Sequence, residues 1–168
     1  MATIPKAVRY WSVGLTQVHF LPAIADPGMA PTREEIVAGT DLTGEIAEWD
    51  GWSTTSEKID TPDMVSRFVS NIPGAISAED SSLTFYADRA GDDVRLVLPR
   101  DTSGFIIWMD GGDVPENYMD VYPVTVASAP KIRSTDNATM IRVDFNITSE
   151  PAEDQVIPQA SGGNGEAA

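Results

Sequence analysis

A mainly β fold, a β-sandwich or barrel of seven or eight strands with one or two short helices, is what this sequence predicts. Three observations predict it. The clearest hydrophobic period is two, with Ile141, Val143, Phe145 and Ile147 alternating with Arg142, Asp144, Asn146 and Thr148. Short β-branched and aromatic runs recur along the chain between Gly, Pro and Asp turns. Helical signals are confined to two brief stretches.

Residues 8–20 form the first strand candidate, interrupted by Gly14. Residues 21–31 hold three prolines and a glycine and read as a loop. Thr32-Arg33-Glu34-Glu35 is a capping box that opens a short helix, and Gly39 stands at its end. Segments 42–49 and 54–59 read as a strand pair around the turn signal Asp50-Gly51. Leu83–Tyr86 and Phe105–Met109 are strands, the second apolar on both faces and therefore central. Asp92–Leu98 has acids in its first turn and Pro99 after it; it is read as a second helix, with a strand as the alternative. Residues 110–117 are a polar turn. Segment 121–127 is a strand that Pro123, lacking an N–H, pushes toward an edge or a bulge. From Glu150 onward the composition is small and acidic. The expected organisation is one domain over 1–150 and an acidic, flexible tail over 151–168 that cannot order itself in isolation.

The net charge is −15, and its placement says more than its sum. Residues 26–63 carry ten acids against Arg33 and Lys58, and residues 79–120 carry ten against three arginines. No acid precedes Asp26. A sequence-specific nucleic-acid reader needs a basic footprint, which is missing. A wall that DNA must pass without sticking is better acidic, because DNA carries about one negative charge per 1.7 Å of its axis. The plain alternative is that the acids serve solubility.

Catalytic chemistry finds little to work with. There is no cysteine and one histidine, His19, which lies in a strand candidate without an accompanying motif and reads as structural. Zinc has no ligand set here, and neither a nucleophile elbow nor a P-loop occurs. Asp110-Gly111-Gly112-Asp113 and Asp88–Asp93 could offer oxygen ligands to calcium, but neither has EF-hand spacing. Acid-plus-glycine turns also arise for conformational reasons. No cofactor is expected, nor an enzyme. No run is long and apolar enough for a membrane span, and the start, Met1–Lys6, has no signal-peptide character. Trp49, Trp52 and Trp108 with Tyr86, Tyr118 and Tyr122 would suit a sugar-binding face or, the favoured reading, core and subunit-interface anchors; Phe85, Tyr86, Phe105, Trp108 and Phe145 are the expected anchors of that kind.

The order of segments resembles the major tail-tube proteins of long, non-contractile-tailed bacteriophages, especially those of actinobacteria. The likeness is carried by Pro31-Thr32-Arg33-Glu34-Glu35-Ile36, Gly39-Thr40-Asp41-Leu42, Gly51-Trp52, Thr61-Pro62-Asp63, Ile72-Pro73-Gly74 and Asp80–Tyr86. It continues through Asp93-Val94-Arg95, Leu98-Pro99-Arg100, Gly104-Phe105-Ile106, Val121–Val126 and Val143–Ile147, so that it spans roughly residues 5–150. The resemblance implies a structural subunit of hexameric rings that stack into a tube in the virion, assembled in the host cytoplasm. Its implied partners are further copies of itself, a tape-measure protein, tail terminator and distal tail or baseplate proteins, and double-stranded DNA passing without specific binding; membrane insertion is not implied.

Within that frame the lumen candidates are Glu45, Glu48, Asp50 and Glu57, on the expected hairpin 42–59. The ring-stacking candidates are Pro22, Asp26, Pro27 and Met29 of the loop, with Trp52 and Ile59 from segment 52–66. The rival reading is an exported β-sandwich module that binds carbohydrate or calcium, which predicts a monomer.

Overall fold

Alternation and apolar runs become eleven strands in the computed structural model, which describes residues 1–160. In chain order these are β1 (Gln17–Leu21), helix α1 (Arg33–Ala38), β2 (Thr40–Asp41), β3 (Ile46–Asp50), β4 (Thr54–Thr61), β5 (Ser70–Ala78), β6 (Ser81–Tyr86), β7 (Ser103–Met109), β8 (Tyr118–Ser128), β9 (Lys131–Ile132), β10 (Met140–Ile147) and β11 (Ala152–Val156). Two 3₁₀ turns, Thr43–Glu45 and Val94–Leu96, complete the set. Nine strands make one antiparallel sheet in the order β2-β1-β7-β8-β10-β6-β3, with β11 added on β8 and β9 on β10. Strands β4 and β5 stand apart as a two-stranded sheet. The fold is mainly β, as the alternation predicts. The strand number exceeds the expected seven or eight because short pairings such as β2 and β9 leave too little sequence to show a period.

Strand β7 is apolar on both faces because it is buried on both. Ile106 and Trp108 enter a large cluster with Phe20, Leu83, Phe85, Tyr122, Val143 and Phe145, on one face of the strand. Ile107 and Met109 enter a second cluster with Leu21, Ile36, Met119, Val121 and Ile157, roofed by α1. Burial of these side chains, at about 25 cal/mol per Å² of apolar surface, is the main stabilising term.

Helix α1 begins as the capping box requires. The Thr32 hydroxyl accepts from Glu35 N–H at 3.2 Å, and the Glu35 carboxylate accepts from Thr32 N–H at 2.8 Å. Gly39 ends the helix, as expected, in extended backbone. Its φ is −71°, and a Cβ there would lie 2.8 Å from both Phe20 O and Leu21 Cδ1, so the glycine permits close approach to β1.

Five expectations are corrected. Only the end of 8–20 is a strand; Ser12–Leu15 is a turn, and residues 1–11 are exposed with no strand pairing. Asp92–Leu98 is neither α-helix nor strand and holds only the 3₁₀ turn Val94–Leu96, started by Asp93, whose carboxylate accepts from Arg95 N–H. The pair 42–49 and 54–59 does not form a hairpin. Gly51 and Trp52 both take positive φ, 79° and 63°, which turns Trp52 into the core; β3 then pairs with β6 and β4 with β5. Pro123 is in the middle of central strand β8. Its carbonyl accepts from Thr148 N–H, so its nitrogen faces the junction where β10 has ended and β11 has yet to begin, and no bond to β7 is lost. Finally, the acidic tail does not begin at 151. Strand β11 pairs with β8, and Ile157 is fully buried, because it packs in one cluster with Met119 and Val121 of β8, a contact that composition alone does not reveal. Residues 161–168 of the expected tail lie outside the described residues.

Candidate assembly interface

The β4–β5 arm stands outside the main sheet, paired only with itself. Almost every residue on both of its faces is exposed. Register sets Ile59 opposite Ile72 on one face, with relative exposures of 50% and 52%. Lys58 and Asp60 share the other face and form an ion pair of 3.1 Å. An extra residue in β5 between Pro73 and Ile76 shifts the register and puts Ile76 on the Lys58 face, also exposed. At the tip, the Asp63 carboxylate accepts from Val65 and Ser66 N–H, both at 2.8 Å, which holds Met64, Val65 and Phe68 out in solvent. A lone two-stranded hairpin is marginal in water, and its edges carry unpaired backbone groups that invite another strand.

The base of the arm is rigid by contrast. Trp52 is 9% exposed and lies within ring contact of Trp108, Tyr122 and Phe145, at centroid distances of 5.6, 5.3 and 5.4 Å. Its indole N–H donates to Ser82 O, its backbone N–H donates to the Ser81 hydroxyl, and its carbonyl accepts from the Tyr122 hydroxyl at 2.7 Å. Burial, then the charges of Asp120, Glu153 and Asp110, push the Tyr122 phenol up to about 12, so it keeps the proton it donates. Burial likewise raises Asp120, against the Asp154 N–H it accepts, with Asp110, Asp154 and Glu153 adding repulsion. Trp52, expected at a ring-stacking contact, is therefore a core residue; Trp108 is buried too, and Trp49 packs edge-on against it.

The remaining candidates fall in different places. Glu48 and Asp50 are exposed on edge strand β3, Glu57 is exposed on β4, and Glu45 lines a groove beside the first 3₁₀ turn. Ile59 is on the arm. Pro22, Asp26 and Pro27 are exposed on the loop before α1, while Met29 packs against the second core cluster. That loop is ordered: the Asp26 carboxylate accepts from Gly28 and Ala30 N–H, and Glu35 accepts from Ala25 N–H. Of the aromatic anchors, Phe85, Trp108 and Phe145 are buried, Phe105 is half-buried, and Tyr86 is half-exposed at the end of β6. Sequence reasoning missed Ile72, Ile76 and the tip residues Met64 and Phe68. Ile72 and Ile76, flanking Pro73 and Gly74 in an otherwise small and polar stretch, were the available signal.

Among the described residues no group of three His, Cys, Asp or Glu is placed to hold a metal. Asp113 is occupied by Arg33, and the Asp88 carboxylate by the backbone of its own turn. No helix among the described residues is long and apolar enough to cross a membrane.

The sequence matches the family model described as phage tail tube protein over residues 1–160. The chain belongs to that family. This tail tube protein also shares its fold with a chain of the 6-fold symmetrised cryo-EM structure of the anti-feeding prophage baseplate. The two are 10% identical with a TM-score of 0.55, over 90% of this chain and 95% of that one. Weaker likenesses are to a chain in the virion of a native gene transfer agent particle (12% identity, TM-score 0.47, 70% and 89% covered) and to one in the tail of an empty particle of that agent (12%, 0.45, 83% and 93%). Comparison with curated proteins returns no match.

Proposed function

We propose that this tail-tube subunit works as a polymer, six copies to a ring and rings stacked into a conduit for the genome of a long-tailed phage. The observation that carries the proposal is the exposed β4–β5 arm, whose isoleucines and open edges another copy would cover. Arms from adjacent subunits, paired edge to edge, would line a continuous inner barrel, which removes the exposed edges altogether. Stacking is a head-to-tail contact that propagates without closing. The 6-fold symmetry of the baseplate whose chain this fold resembles supports six copies per ring. The role is structural and located in the virion tail. A tape-measure protein would occupy the bore during assembly, with terminator and distal tail or baseplate proteins at its ends.

Glu48 and Asp50 are the residues we assign to the bore, where negative charge lets DNA slide; Glu57 shares the Ile59 face of β4 and goes with that face to contacts between copies. Each acts over about 8 Å in physiological salt, so only groups on the wall count. Pro22, Asp26, Pro27 and Ile59 are assigned to contacts between rings.

Electron microscopy and sedimentation of the purified chain at rising concentration test this. Rings or tubes are expected, and I59K/I72K should remain monomeric with an unchanged melting temperature. A wild-type chain that stays monomeric and melts higher with calcium would instead support the binding-module reading.

A further inference from the structure

A groove of about 450 Å³ lies where the 3₁₀ turn Thr43–Glu45, the end of β6 and the 3₁₀ turn Val94–Leu96 meet. Its floor is apolar: Leu42, Phe85 and Val94 are buried beneath it, and Leu96 is exposed at its lip. Its rim carries Asp41, Glu45, Asp88, Asp92 and Asp93. Asp41 lies 3.9 Å from His19; Glu45, Asp88, Asp92 and Asp93 form no ion pair among the described residues, and Arg95 of the same turn donates instead to Ala129 O at 2.8 Å. The backbone N–H groups of Asp92 and Ala90 hold Asp88 below the usual carboxylate range, so it stays charged.

The same chain presents a segment of opposite character. Residues 1–11 contain Lys6 and Arg9 and no acid. They interleave these charges with exposed apolar side chains, Val8 at 92% and Trp11 at 75%. The segment pairs with no strand. Groove and segment are thus both unfilled in one copy, and each offers what the other lacks.

We infer that residues 1–11 of a second copy lie in this groove, with Lys6 and Arg9 against the carboxylate rim and Val8 and Trp11 against Leu96 and the floor. The inference deepens the proposed self-assembly and rests on it. The contact is rim-exposed in its charges, so it weakens as salt rises, while its apolar part supplies the residence time. It also gives the acidic block of the chain a role apart from the bore: Glu45 serves this joint.

The chain has no cysteine, so V8C and L96C introduce unique thiols. A mixture of one chain carrying V8C and another carrying L96C, oxidised under assembling conditions, should give a mixed disulfide at least about tenfold above that from V8C mixed with a cysteine at exposed Ser149, S149C, because docking raises the effective concentration. Ser149 lies beyond the end of β10 opposite to the Met140–Tyr86 pair at the groove. Separately, E45K/D92K, at two exposed positions, should raise the concentration needed for assembly about tenfold, and adding K6E/R9E to the same chain should restore it. If the wild-type chain assembles while K6E/R9E alone assembles at the same concentration, the inference is overturned and self-assembly stands. If a chain carrying both V8C and L96C closes the disulfide only within itself, the second-copy occupant is overturned. A wild-type chain that is monomeric throughout sinks both.

Discussion

Arg33 Nη1 lies 2.6 Å from Asp113 Oδ2, and the same guanidinium donates through Nη2 to Pro158 O at 2.9 Å. One side chain from the first turn of α1 thus ties the 110–117 turn to the chain that follows β11. The carboxylate raises Arg33 above its ordinary range, so the charge persists at any working pH. Both side chains are substantially buried, 14% and 27% exposed. R33A and D113A should each lower unfolding free energy by about 1–3 kcal/mol, since each strands a desolvated partner. The double variant should lose less than the sum. Urea titration of the four proteins checks it; strictly additive losses would mean the two groups do not couple.

Trp52 predicts a larger effect. W52A should cost about 3–5 kcal/mol through the cavity it leaves, and Y122F about 1 kcal/mol through the Trp52 carbonyl left without its hydroxyl donor. G51A should prevent native folding, because its Cβ would fall 2.3 Å from Asp80 O on a backbone already at φ 79°. Near-ultraviolet circular dichroism and thermal melts report all three.

Ile157 separates a core residue from a tail. I157A is expected to cost about 2–4 kcal/mol, and a chain ending at Glu150 to lose the cooperative transition, having lost β11. A chain cut at 150 that melts like the whole protein would show that 151–157 contributes nothing.

Asp120 gives the pH dependence. Its folded pKa is raised, so the folded state holds this proton where the unfolded chain has released it. The stabilisation is fully present below the unfolded value, about 4, and is lost as pH rises through the folded value. D120N keeps the acceptor for Asp154 N–H and removes the charge. It should melt above wild type at pH 7 and converge with it at pH 3; an equal offset at both pH values would place the effect elsewhere.

For the bore, E48K/D50K should leave tubes intact under the microscope and slow genome delivery, measured as infectivity of assembled particles. Unchanged infectivity would move those carboxylates to the outer surface.

The amino-acid order by itself determined those features that are made by neighbours in sequence. Alternation over 141–147 can be satisfied only by a strand with one buried face; the capping box of Thr32 and Glu35 closes on itself within one turn; a run apolar on both sides, at 105–109, must be central. Tertiary structure decided which strands meet. Asp50-Gly51 reads as a hairpin turn, yet the positive φ of Trp52 and the pull of Trp108, Tyr122 and Phe145 send that side chain inward and free β4 to pair with β5. Pro123 is tolerated centrally only because two other strands abut there, and Ile157 is core only because β8 has room beside β10. Strand pairing joins residues far apart along the chain, so its outcome depends on the summed burial of the whole sheet, which no short window of sequence contains.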